Sequence, residues 1–202
     1  MDEAENLEKS EMKELLNSIH LSTINLENLI DNLLEGSSIE TGRFRVNPFP
    51  SDIGSVILTA CNTINPLLKK YGQKLNIELP KKLPVVLIDE KRINQVLLNI
   101  LANASKYGPK DEEIYINAVI DKKYIEIKIG DRGTGVPEPY REKIFSGYVL
   151  ANNVGGKTPS GTGLGLSVSQ TIIKAHGGQM GVRDRSGGGS EFWFTIPIKG
   201  EK

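Results

Sequence analysis

Three stretches of the sequence bring together polar side chains and bare backbone that suit a phosphorylated ligand. In Asn99-Ile100-Leu101-Ala102-Asn103-Ala104-Ser105-Lys106-Tyr107, the residues Asn99, Asn103 and Lys106 recur at i, i+4 and i+7, so a helix places them on one face. A carboxamide oxygen is a hard ligand of the kind Mg²⁺ accepts beside waters and phosphate oxygens. A lysine meets phosphate as a point charge. Read alone, the stretch is also compatible with a solvated helix face carrying incidental asparagines. In Asp131-Arg132-Gly133-Thr134-Gly135-Val136-Pro137, an acidic residue is followed by two alternating glycines. Glycines let backbone approach a flat ligand closely, and the carboxylate can accept from an exocyclic amine such as that of adenine. A tight turn with Asp131 bonded to local amides is the competing reading. Gly161-Thr162-Gly163-Leu164-Gly165-Leu166 opens a predicted helix. Free N–H groups and a helix N-terminus favour an anion there. The spacing is neither G-x-G-x-x-G, which needs a glycine at Leu166, nor G-x-x-x-x-G-K. A fourth glycine cluster, Gly187-Gly188-Gly189 before Ser190 to Thr195, reads equally well as a hairpin turn.

The elements that must position these groups alternate between helix and strand. Ser51 to Tyr71 has helical apolar spacing through Ile53, Val56, Ile57, Ala60, Ile64, Leu67 and Leu68, with Ser51 as the expected N-cap. Asp89 is the expected cap of a helix to Tyr107 whose apolar face is Ile93, Val96, Leu97, Ile100 and Leu101. A last helix is expected over Thr162 to His176, stopped by Gly177-Gly178. Strands are expected at Arg43 to Pro48, Lys74 to Leu79, Val85 to Ile88, Ile114 to Ile120, Tyr124 to Ile129, Met180 to Arg183 and Glu191 to Ile198. Ahead of them lies a stretch without Gly or Pro, about Lys9 to Glu35. There Met12, Ile19, Leu26 and Leu33 recur every seven residues, with Leu16, Thr23 and Ile30 in a second seam. That is a helix-bundle stripe, and a single helix cannot cover it. Gly36-Ser37-Ser38 and Gly42 suggest a linker.

Composition narrows the function classes. Twenty-five basic residues balance twenty-five acidic ones, so no global field draws in nucleic acid. The single cysteine, Cys61, excludes an intramolecular disulfide. No apolar run approaches the roughly 20 residues of a membrane span. A cytoplasmic protein is expected, or the cytoplasmic part of one anchored through upstream segments.

In order and spacing, these clusters resemble the nucleotide-binding boxes of the GHKL superfamily, specifically of sensor histidine kinases. The resemblance covers about Phe44 to Ile198. It implies an α+β protein: a two-layer sandwich of the Bergerat type, with a mixed sheet and helices on one face, binding ATP and Mg²⁺. Carried onto this sequence, it implies Asn103 as Mg²⁺ ligand with Asn99 assisting, Lys106 near phosphate and Tyr107 against adenine. Asp131 would hold the adenine amine, in a pocket shaped by Gly133, Gly135 and Val136. Gly161, Thr162, Gly163, Leu164, Gly165 and Leu166 would line the triphosphate. Ile144, Phe145 and Tyr148 resemble the aromatic box that anchors a lid over ATP, with Val149 to Ser160 as that lid and Lys157 as its basic residue. Hydrolysing GHKL members carry a glutamate where this chain has Asn99. A carboxamide cannot act as a general base, so Asn99, Asn103 and Lys106 suit transfer of the γ-phosphate rather than hydrolysis.

The first helix resembles the second helix of a dimerisation and histidine-phosphotransfer hairpin, which divides the chain into 1–42 and a catalytic ATP-binding domain at 43–202. The resemblance implies a homodimer through that hairpin, an acceptor histidine on a helix absent from this chain, and a response-regulator receiver domain as partner. His20 lies in the wrong register for the acceptor. His176 ends the last helix, where a charged imidazole suits the helix dipole.

Overall fold

The computed structural model describes residues 34–39, 41–146 and 163–198, together with Met12, Leu15, Leu16, Ile19, Thr23, Leu26 and Ile30 of the N-terminal helix. Five strands form the main sheet: β2 (Lys74–Glu78), β4 (Glu113–Ile120), β5 (Tyr124–Gly130), β6 (Met180–Asp184) and β7 (Ser190–Pro197). Their order is β2-β4-β5-β7-β6, parallel between β2 and β4 and antiparallel elsewhere. Two short strands, β1 (Phe49–Asp52) and β3 (Val85–Ile88), pair antiparallel as a separate ribbon.

Alternation decides which face of the sheet is covered. Ile114, Ile116 and Ala118 of β4, Ile125, Ile127 and Ile129 of β5, and Phe192, Phe194 and Ile196 of β7 are all buried. Against them lie α1 (Ile53–Lys70), α2 (Glu90–Tyr107) and α3 (Gly165–Ala175), which contribute Ile57, Leu68, Ile93, Leu97, Ile100, Leu101 and Ile172 to the same core. The expected mixed sheet with helices on one face is what the chain forms. The opposite face is polar and aromatic. The Tyr115 ring lies over Gly130, the Arg185 guanidinium lies 4.5 Å from the Tyr115 ring centre, and Arg183 bridges Glu191 and Glu126.

Helix α2 is held at its start by Asp89, whose Oδ1 accepts the N–H of Arg92 at 3.3 Å while Oδ2 accepts that of Asn47 at 3.1 Å. Two local expectations are corrected nearby. Arg43 to Pro48 forms no strand, because Pro48 has no N–H and that of Asn47 goes to Asp89; pairing begins at Phe49. Asp52, not Ser51, caps α1, its Oδ1 accepting from Gly54 N at 2.9 Å, while Ser51 is the third residue of β1.

Two helix ends also differ from expectation. Helix α3 starts at Gly165 rather than Thr162, because Gly163 takes φ +68° and breaks the helical path. The N-terminal helix continues through Gly36-Ser37-Ser38 to residue 39, and the turn comes at Thr41-Gly42, where Gly42 adopts φ +66°. A glycine inside a helix costs only about 1 kcal/mol, which anchored neighbours override. Those anchors are Glu35, buried against Arg92 and Gln95 of α2, and Ile39, packed on the core. The stripe residues Met12, Leu16, Ile19, Leu26 and Ile30 are exposed, as expected for a bundle helix considered alone. His176 has a structural place: its ring meets the backbone N–H of Asp89 on one side and the Ile172 carbonyl on the other. Among the described residues, no helix is long and apolar enough to cross a membrane.

Candidate nucleotide site

Helix α2 is the spine of the site. Its apolar face is sealed in the core, so Asn99 and Asn103 are held at the rim, partly exposed, one turn apart. Lys106 and Tyr107 follow in the last turn, exposed, with the Lys106 ammonium 4.8 Å from the Tyr107 ring centre. A buried clamp fixes that turn. Gln73 donates to the carbonyls of Ser105 (2.9 Å) and Pro109 (3.0 Å) and accepts from the Ser105 hydroxyl (2.6 Å).

The second wall follows β5. Asp131 is 4% exposed, and its backbone N–H continues the sheet to Ser190 O at 2.9 Å. Oδ1 accepts from Gly133 N at 2.7 Å and from Ser190 N at 3.5 Å, whereas Oδ2 accepts no bond among the described residues. One oxygen is thus spent on the turn and the other remains for a ligand. Burial raises the Asp131 carboxyl above its usual range, opposed by the N–H groups of Gly133 and Ser190 and by the charge of Arg185. The glycines here answer to close packing. A Cβ on Gly133 would sit 2.4 Å from the carbonyl oxygen of Tyr107, and one on Gly189 would sit 2.0 Å from that of Asp131. Gly135 adopts φ +77°. The Asp131 loop is therefore pressed directly onto the end of α2.

The third wall is the start of α3. Gly163 and Gly165 flank the buried Leu164, whose carbonyl accepts from Val168 N at 3.0 Å and from the Ser167 hydroxyl at 2.8 Å. A Cβ on Gly165 would lie 2.4 Å from Asn99 Oδ1, and Asn99 Nδ2 donates to Ser169 Oγ at 2.9 Å. Ile144 and Phe145 are buried in the core, while Val136 and Leu166 pack at its edge.

The geometry therefore brings Asn99, Asn103, Lys106, Tyr107, Asp131, Gly133, Gly163 and Gly165 around the exposed side of one helix. Tyr148, Lys157, Gly161 and Thr162, together with the expected lid over Val149 to Ser160, lie outside the described residues. Sequence reasoning missed Gln73 and Ser169. Both act across long sequence separations, and neither belongs to a motif. No group of three or more His, Cys, Asp or Glu able to hold a metal occurs among the described residues. A cation at this site would rest on the two carboxamides and on ligand oxygens, a donor set that fits Mg²⁺.

The family model described as "Histidine kinase-, DNA gyrase B-, and HSP90-like ATPase" matches residues 88–200, the span from the end of β3 past β7. The chain belongs to this family. Among histidine kinase-, gyrase B- and HSP90-like ATPases, it stands with the kinases, as an ATP-binding catalytic domain of the sensor histidine kinase type. The adaptive-response sensory kinase SasA of a Nostoc species is 32% identical over 185 residues, which is 91% of this chain and 46% of SasA. The chain thus spans a little under half the length of that curated relative. Full-length ShkA, solved in complex with AMPPNP, superposes with a TM-score of 0.74 at 26% identity over 95% of this chain and 40% of ShkA. The fold is also that of the histidine kinase ThkA, solved with the response regulator protein TrrA: TM-score 0.69 at 23% identity, over 95% of this chain and 52% of that one.

Proposed function

We propose that this chain binds Mg·ATP between α2, the Asp131 loop and the start of α3, and presents the γ-phosphate to a histidine on a helix outside the chain. The observation that carries the reading is the convergence of three kinds of group on one rim. These are the two carboxamides of α2, the unspent Oδ2 of buried Asp131, and the glycine-opened start of α3.

Each group has a part in binding. Asp131 Oδ2 accepts the exocyclic amine of adenine, in a slot whose width is set by Gly133, Gly135 and Val136. Tyr107 covers the base. The open N–H groups at the start of α3 meet the phosphates, aided by the positive end of that helix. Lys106 adds a point charge. Asn99 and Asn103 would hold Mg²⁺, which would neutralise charge on the phosphate oxygens. Because transfer of a phosphoryl group is mainly positioning and charge neutralisation, the acceptor can be brought from another element. With asparagine rather than a carboxylate at position 99, no side chain there draws a proton from water, which favours transfer over hydrolysis.

In the same reading, residues 1–42 supply one helix of a dimerisation hairpin and 43–202 form the catalytic domain. The exposed stripe of the N-terminal helix is what such a hairpin covers, and it makes the whole protein a homodimer. The phosphohistidine passes its phosphoryl group to the receiver domain of a response regulator, as the ThkA assembly with TrrA suggests by analogy. The site faces the cytoplasm, where ATP is supplied.

The test supplies a phosphoacceptor hairpin in trans with radiolabelled ATP. Label is expected on its histidine, and Asn103→Ala should abolish it. A chain that releases phosphate steadily while the hairpin stays unlabelled would overturn transfer in favour of hydrolysis.

A further inference from the structure

The Asn99 carboxamide has two ends of nearly equal size, and only its oxygen is of use to a cation. Something must decide which end faces the ligand. The amide lies along the first turn of α3: Nδ2 donates to Ser169 Oγ at 2.9 Å, and Oδ1 is the atom a Cβ on Gly165 would strike at 2.4 Å. Ser169 is 1% exposed, so no water competes for its hydroxyl, and it sits one turn into α3 from Gly165. The positive end of α3 draws the oxygen toward Gly165, while the buried hydroxyl takes the amide N–H. The helix field chooses the orientation, because a serine hydroxyl can take either end of the amide, and the bond to Ser169 then holds the carboxamide in place. The absent Cβ of Gly165 leaves room for it.

We propose that Ser169 is a positioning residue for the nucleotide site, its hydroxyl locking the Asn99 carboxamide with Oδ1 turned toward the start of α3. This rests on the reading of Asn99 as a ligand of nucleotide-bound Mg²⁺. Ser169 touches neither nucleotide nor metal. It acts by anchoring the carboxamide against α3, so that Oδ1 is held at the start of that helix.

The test uses the full chain with three variants, Ser169→Ala, Ser169→Thr and Asn99→Ala. Titration calorimetry with ATP is run once with Mg²⁺ and once with EDTA. Ser169→Ala should weaken binding about five-fold in Mg²⁺, the scale of one hydrogen bond, and leave binding in EDTA unchanged. Ser169→Thr, which keeps the hydroxyl, should behave as wild type. In nucleotide-free protein, the side-chain amide signals of Asn99 in a ¹⁵N–¹H spectrum should shift and exchange faster in Ser169→Ala. An equal loss of ATP affinity with and without Mg²⁺, or an unmoved Asn99 signal, overturns the proposal. If Asn99→Ala removes the Mg²⁺ dependence and Ser169→Ala leaves it at the wild-type value, the positioning role alone fails. If wild-type binding ignores Mg²⁺, the reading of the site fails and the proposal with it.

Discussion

The imidazole of His176 joins the end of α3 to the start of α2: Nε2 accepts the backbone N–H of Asp89 at 2.9 Å, and Nδ1 meets the Ile172 carbonyl at 2.8 Å. Asp89 is itself the cap of α2, so one ring ties together the two helices that carry the carboxamides and Gly165. His176→Leu should leave the Asp89 N–H unpaired in a half-buried place. A loss of about 1–3 kcal/mol of stability is expected, measured by urea denaturation.

Asp131 is where function and stability oppose each other. Its folded-state pKa is raised, chiefly by burial, so the folded chain holds this proton more tightly than the unfolded one. The sign follows: the contribution to stability is full below the ordinary carboxylate pKa and is lost as pH rises through the raised value. Once ionised, the carboxylate is therefore a burden on the fold. Asp131→Asn should melt higher than wild type at neutral pH and flatten that segment of the pH–stability curve. Its Oδ1 can still accept from Gly133 N, but the other end of the amide becomes a donor facing the adenine amine. ATP affinity should fall about 100-fold or more, the scale of an interaction lost and a repulsion gained. Melting curves across acid to neutral pH, paired with calorimetry, check both halves.

Gly165 tests the close approach of α3 to α2. Its backbone is ordinary for a helix, so alanine should gain about 0.5–1 kcal/mol of helix preference. The added Cβ would fall 2.4 Å from Asn99 Oδ1 and must displace it. Gly165→Ala should therefore change stability little while reducing Mg²⁺-dependent ATP affinity about tenfold or more, since displacing one ligand atom outweighs the propensity gain. Calorimetry beside a thermal melt separates the two effects.

Gln73 tests the clamp on the last turn of α2. Gln73→Leu removes three hydrogen bonds and strands the Ser105 and Pro109 carbonyls. A cost of about 2–4 kcal/mol is expected from unpaired buried acceptors, read from urea denaturation. Hydrogen exchange at Lys106 and Tyr107 should rise with it.

Much of this was legible in the sequence because the signals were local. The apolar periodicity of α2, the acidic cap at Asp89 and the alternation in β4 and β5 each declare themselves within a few residues. So did the glycine clusters, whose alternation marks backbone brought unusually close to something else. What stayed hidden was set by distant partners. Asp52 rather than Ser51 became a cap because Ser51 is held inside β1, paired with Val86 of β3. Gly36 stays helical because Glu35 and Ile39 are pinned by groups more than fifty residues away in the case of Arg92. Ser169 and Gln73 stand in the sequence among other polar residues, with nothing to single them out until the elements pack. The tie made by His176 could not be read from its place at a helix end, since its partner Asp89 lies 87 positions earlier.

At Gly133 and at Gly189 the nearest atom that a Cβ would meet is a backbone carbonyl oxygen, that of Tyr107 and that of Asp131. Such a wall has nothing to trim or enlarge. Any heavier residue displaces the chain itself, and no lighter one exists. Adaptation to a different base, or resistance to a competing inhibitor, must therefore arise elsewhere, at rim positions such as Tyr107 and Val136 whose side chains can vary without moving the backbone.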